Sequence, residues 1–289
     1  MKSKFHVSSL LFLCIPLTAC SQKVDTVKVE TNIESYLNKW ESIAPGADYM
    51  EMDAPKKSIL NDSRISILKI DPAQFDLFML SATADNDTAK TVKEWADKYD
   101  LNIVVNAGMY DLAKKLSSKG YLKSQEHCNN PNLYPNYNAM IAFNPIDTMK
   151  WKFTVMDLKC ETWEKVKDDY TCYAQGLRMI DCNREALGWN KKTQSCSMLV
   201  TAVDALGNIY FVFTRSPYTH NDMITFMLNF PFELNSAIYM EGGPQTSLYI
   251  HFGDRTIEKV GSYVSKTFAN DLNNQFWPLP NVIGLRVKQ

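Results

Sequence analysis

Glu241 sits between an apolar, strand-like run and two glycines, in the stretch IYMEGGPQTSLYI at residues 238 to 250. A chain reversal needs glycine or asparagine and gains nothing from an acid, so the corner reads as one that presents the carboxylate, with Gly242 and Gly243 leaving room for a ligand beside it. At the end of a sheet such a carboxylate serves as acid, base or electrostatic stabiliser in glycosyl transfer, provided its surroundings tune its pKa. The bland alternative is a solvated bystander, which would fit better in a flexible polar loop.

Two other strand ends carry polar groups that a turn does not require. In Asn106-Ala107-Gly108-Met109-Tyr110, Asn106 offers both donor and acceptor, and Gly108 lets backbone N–H groups approach a ligand closely. Its alternative is an asparagine bonded to its own loop. In FTRSPYTHND, at 213 to 222, a strand delivers Arg215 and Ser216 just ahead of a helix start. Unpaired N–H groups and the positive dipole end of that helix, with the arginine upstream, would suit a phosphate or carboxylate. Capping by Thr219 or Asn221, with Arg215 at the surface, is the competing reading. His220 suits proton transfer near neutral pH, Arg178 suits anion binding, and Asp181 or Asp222 is a candidate second carboxylate.

These residues need a scaffold, and the periodicity supplies one. β-rich runs occur at 64–70, 75–80, 101–105, 139–143, 151–156, 173–180, 197–203, 209–213, 237–240, 246–251 and 282–287. Helical spacing appears over 89–100, through Val92, Trp95, Ala96 and Tyr99, and again over 221–228. Asp85-Asn86-Asp87-Thr88 reads as the cap of the first helix, since it lacks the glycine and distal glutamate of a calcium loop. Asp204 to Asn208 reads as a hairpin turn, and residues 111–136 as a long irregular connection of the kind that carries function. Many strands with hairpin-length turns and two good helices predict an α+β single domain around a largely antiparallel or mixed sheet, with a few flanking helices.

The 289 residues divide into a signal segment at 1–19, a tether and lead-in segment at 20–55 and the domain proper at 56–289. Lys2 and Lys4 followed by an apolar stretch too short to span a membrane mark an export signal. Its end, Leu17-Thr18-Ala19-Cys20, resembles the lipobox of bacterial lipoproteins, so Cys20 is the expected lipidation site and the anchor to a membrane facing the periplasm or cell surface. The net charge of −1 gives no electrostatic reason to expect nucleic acid as a partner.

Beyond Cys14 and Cys20, the thiols are Cys128, Cys160, Cys172, Cys182 and Cys196, an odd number in an oxidising compartment. None is spaced as Cys-x-x-Cys, which argues against a zinc ribbon or a redox pair and for structural cysteines. No cofactor is expected; calcium through oxygen ligands is left open but not predicted.

Taken in order, NAGMY, AQGLRMIDC, FTRSPYTHND and YMEGGPQTSLYI resemble the phosphodiester glycosidase family that includes the lysosomal uncovering enzyme, and more closely its bacterial exported branch. The resemblance runs from about Arg64 to the C-terminus. It implies an α+β fold, a substrate in which a sugar is joined to a phosphodiester, and matching positions at Asn106 and Gly108, at Gln175, and at Glu241, Gly242 and Gly243. Many relatives carry aspartate before the glycines where this chain has the longer Glu241.

The resulting expectation is an exported, lipid-anchored hydrolase. Glu241 and His220 would be its catalytic residues, and Asn106, Gly108, Gln175, Arg178, Arg215, Ser216, Gly242 and Gly243 would bind the carbohydrate. The alternative is a glycan-binding envelope lipoprotein without catalysis, which would bind ligand but release no product.

Overall fold

The computed structural model describes residues 39–111, 114, 116–185 and 194–289. The signal segment, Cys20 and most of the lead-in therefore lie outside the described residues. Among the described residues sixteen strands form two sheets, and every pairing within them is antiparallel.

The larger sheet holds β1 (Glu41–Ala44), β2 (Ala47–Asp53), β3 (Arg64–Ile70), β6 (Leu122–Ser124), β7 (His127–Asn130), β8 (Ala139–Pro145), β9 (Phe153–Asp157), β10 (Tyr170–Ile180), β11 (Ser195–Val203), β12 (Ile209–Thr219) and β13 (Ser236–Gly242). Its strand order is β1-β2-β3-β12-β11-β13-β10-β6-β7, with β8 and β9 joined through β10. The smaller sheet runs β15-β14-β5-β16-β4, from β4 (Phe75–Ser81), β5 (Ile103–Asn106), β14 (Ser247–Phe252), β15 (Arg255–Val260) and β16 (Asn281–Val287).

The two sheets face each other, and the period-2 alternation of side chains explains the layering. Phe75, Leu77 and Met79 of the small sheet share one core with Leu68, Leu199, Phe211, Phe213 and Met240 of the large one. The opposite faces are apolar too. Met198, Val200, Val212 and Tyr239 pack under α3 (His220–Leu228) through Met223, Ile224 and Met227. Val104, Tyr249 and Val282 pack under α1 (Val92–Tyr99) through Val92, Trp95 and Ala96. The only other α-helix among the described residues is the short α2 (Trp163–Val166). The molecule is thus a β-sandwich flanked by helices, more dominated by sheet than the α+β expectation.

Several expectations shift in detail. Pro45-Gly46 turns β1 into β2, so sheet begins within the stretch read as lead-in, with Gly46 at φ 74° in the turn. Thr91, not the acidic triplet, caps α1: it closes a capping box with Glu94, while Asp85 is paired to Lys90 and Lys98. Cys160 and Cys182 form a disulfide, leaving Cys172 and Cys196 buried as thiols and Cys128 exposed.

Candidate active site

The register of β13 against β11 contains an irregularity at the point that matters. Leu199 pairs with Glu241 and Val200 with Tyr239, so Met240 is an extra residue on β13. A bulge of this kind re-aims the side chain beside it. Glu241 consequently reaches toward the small sheet, where its Oε2 accepts the Tyr110 backbone N–H at 3.0 Å, while Oε1 accepts that of Gly242 at 3.0 Å. The residue keeps some exposure, but protein surrounds its carboxyl group, and that burial pushes the pKa up to about 7 against the pull of the two N–H groups and of Lys119.

Asn106 answers from the other loop. It is fully buried, and its Oδ1 accepts the Ser247 backbone N–H at 3.0 Å, on the segment that follows Glu241. Among the described residues its Nδ2 has no hydrogen-bond partner. Asn106 therefore braces the Glu241 corner from beneath and is not at the open surface. The turns on both sides need left-handed backbone: Gly108 has φ 75° and Gly243 φ 70°.

The connection around residues 119–137 lies close enough to Glu241 for Lys119 and Tyr137 to interact with its charge, and it forms a wall. Tyr134 and Tyr137 lie with ring centroids 4.6 Å apart, and the Lys119 ammonium stands 5.0 Å from the Tyr134 ring centroid. Both Glu241 and Asp111 raise the pKa of the Tyr137 hydroxyl, adding to the larger effect of burial. Lys119, Tyr137 and Asp111 were not singled out from sequence; the length and irregularity of the 111–136 connection was the signal that pointed there.

Gln175 fixes this wall and has no capacity left for a ligand. Its Oε1 accepts from Tyr121 N at 3.0 Å and Tyr134 N at 2.8 Å, and its Nε2 donates to Tyr134 O at 3.2 Å and Tyr137 O at 2.8 Å. A side-chain amide offers two donors and two acceptor lone pairs, and all four are used. Gln175 is a staple for the loop, where the sequence suggested a sugar contact.

The remaining predicted residues are placed elsewhere. The strand of Arg215 runs on to Thr219, which caps α3 as the competing reading had it, but Arg215 does not serve the helix start; its guanidinium donates to Val260 O at 2.7 Å, Asn273 O at 2.7 Å and Asp271 Oδ1 at 3.0 Å. It lines a cleft of about 300 Å³ with Arg64 and Lys259, in which Asp62 and Glu258 offset the positive charge. Ser216 is buried, accepting from Ser63 N and donating to Asp62. Arg178 pairs with buried Asp157.

Asp222 belongs to the capping box of α3 and to an ion pair with Lys56 at 3.0 Å, while Asp181 accepts from Asn183 and Glu185. Neither is a second carboxylate beside Glu241. The His220 ring packs edge-on to Tyr239 at 4.6 Å, and burial lowers its pKa to about 4, so near neutral pH the ring is uncharged and is not the general acid the sequence suggested. A grouping of Asp157, Cys160 and Cys182 has the proximity of a metal site, but its two sulfurs are joined to each other.

The sequence matches no family model and no curated protein. Solved structures do match. A hypothetical protein from Synechocystis aligns with a TM-score of 0.56 at 14% identity over 86% of this chain, which spans 63% of that protein's length. The catalytic domain of zebrafish N-acetylglucosamine-1-phosphodiester alpha-N-acetylglucosaminidase, auto-inhibited by its pro-peptide, aligns with a TM-score of 0.53 at 12% identity, over 86% of this chain and 85% of that one. The two chains share a fold. Identity at this level relates the zebrafish glycosidase to the present protein by architecture, and any shared chemistry has to be argued from the side chains.

Proposed function

We propose that the protein is a hydrolase that removes a sugar from a glycosyl phosphodiester or a related glycan linkage, with Glu241 as its acid–base carboxylate. The observation that carries this reading is the Glu241 carboxyl, fixed by two backbone N–H groups yet held by burial at a pKa of about 7. A group poised there is present in both protonation states at neutral pH, so it can give a proton to a departing glycosidic oxygen and recover one from the attacking water. The shared fold with a phosphodiester glycosidase catalytic domain supports the same class of substrate.

In this reading Lys119, a cation whose charge bears on Glu241, faces the phosphate, and the Tyr134–Tyr137 wall flanks the sugar. Asp111, which acts on Tyr137 as Glu241 does, is the second carboxylate. Gln175 holds the segment that carries Tyr134 and Tyr137. Lipidation at Cys20 after export remains part of the proposal, and mass spectrometry of the membrane-extracted N-terminal peptide checks it.

Purified protein lacking residues 1–20 is offered a panel of sugar-1-phosphodiesters beside its Glu241→Gln variant. Turnover by the parent with a loss of at least about 100-fold in the variant is expected from the size of acid–base contributions. Equal turnover by both would remove Glu241 from the mechanism.

A further inference from the structure

At the end of the large sheet opposite Glu241, two hairpin tips meet. Ser236 pairs with Val203 at that end, five residues before Glu241 along β13, a separation of roughly 16 Å at the usual strand rise. The β8–β9 hairpin tip brings Trp151 onto Gly207 of the Asp204–Asn208 turn: a Cβ built on Gly207 would lie 2.6 Å from the six-membered ring of the indole. The glycine has φ 82°, and no other residue would let the ring settle so closely. Trp151 is nevertheless 57% exposed, so the indole is seated on one side and open on the other. It borders a cleft of about 250 Å³ lined also by Thr154, Asp204, Asn235 and Ser236.

The chemistry of that lining is selective. Asp204 is its only ionisable residue, and both carboxylate oxygens are already filled. Oδ1 accepts from Leu206 N and Asn208 N at 2.9 Å each, and Oδ2 accepts from Asn208 Nδ2 at 2.8 Å and the Tyr210 hydroxyl at 3.0 Å. The cleft therefore has no cationic group and no free carboxylate oxygen to offer a ligand. It presents instead an aromatic face next to a hydroxyl and an amide.

We infer that this cleft is a binding subsite for a neutral sugar unit of a glycan, distinct from the Glu241 site. A pyranose has one face of polarised C–H groups, which suits the negative face of an indole, and a rim of hydroxyls that both donate and accept toward Thr154 and Asn235. A pre-seated tryptophan loses little freedom on binding, which favours even a weak ligand. The subsite does not depend on the proposed reaction. It would hold a glycan chain to the protein whether or not Glu241 acts on it.

The test is titration of the folded chain lacking residues 1–20 with chitotriose, cellotriose and maltotriose, followed by saturation-transfer NMR and tryptophan fluorescence. At least one should bind saturably, with Trp151→Ala weakening it about tenfold or more, a free-energy change of about 1.4 kcal/mol. Glu241→Gln should bind as the parent does. Asn235→Ala and Thr154→Val, which leave the indole seat intact, should each weaken binding about threefold or more; they carry the test if Trp151→Ala proves misfolded by circular dichroism. Absence of binding by all three sugars, parent-like binding by Trp151→Ala or by both polar variants, or loss of binding in Glu241→Gln would each overturn the assignment.

Discussion

Asn106 and Glu241 hold each other's loops. The amide of Asn106 takes the N–H of Ser247, just past the Glu241 corner, while the carboxyl of Glu241 takes the N–H of Tyr110, just past Asn106. Each side chain thereby satisfies a backbone donor on the segment that carries the other. The two motifs lie 135 residues apart in sequence, yet they form one rigid corner where the sheets meet.

Removing the amide should expose how much this bracing contributes. Asn106→Ala leaves the Ser247 N–H buried without an acceptor, a loss of about 1–3 kcal/mol. Urea unfolding followed by fluorescence measures it, and a midpoint equal to the parent's would show that the bond contributes nothing.

Glu241 should make stability fall as pH rises. Its pKa is raised in the folded state to about 7 from 4.5, so its favourable contribution is complete below pH 4.5 and disappears as the pH climbs through 7. A shift of that size corresponds to at most about 3 kcal/mol. Glu241→Gln, which cannot ionise, should match the parent at pH 4 and exceed its melting temperature at pH 8. Parallel pH profiles for the two proteins would contradict the buried-acid description.

His220 should act in the opposite direction. Burial lowers its pKa to about 4 from 6.5, so the unfolded chain takes up a proton first and stability declines as the pH falls from 6.5 toward 4, again by at most about 3 kcal/mol. In His220→Gln this acid limb should flatten, as read from melting temperatures at pH 7, 6 and 5.

Gln175 should be silent as a ligand and important as a staple. Gln175→Met keeps the volume but releases the backbone groups of Tyr121, Tyr134 and Tyr137. Hydrogen exchange at the amides of Tyr121 and Tyr134 should accelerate by at least about tenfold, one tenfold step for each 1.4 kcal/mol lost. Unchanged exchange at those two positions would refute the stapling role.

The scaffold was readable wherever one local signal decided it. Helices at 92–99 and 220–228 and most of the strands follow from periodicity, because buried faces must repeat at the period of their element. β2 was not read as a strand: the preceding Pro45-Gly46 also marks a hairpin turn, but the surrounding polar residues suggested a tether. Within the site, Glu241 drew notice because an acid at a corner is unusual. The destination of Arg215 was not legible, since its partners Val260, Asp271 and Asn273 are brought to it only by the fold. The same holds for Gln175, whose four bonds reach back some 40 to 55 residues along the chain.

The acid and the wall beside it have different mechanical origins. Glu241 rides on a strand in the middle of the large sheet, whereas Tyr134 and Tyr137 ride on the segment after the β6–β7 hairpin, where the Gln175 amide bonds the backbone of both. Exchanging residues 131–137 while keeping Gln175 and the β6–β7 hairpin should thus retune which molecules enter without disturbing the proton-handling group, making that segment the natural place for diversification among proteins of this architecture and for engineering.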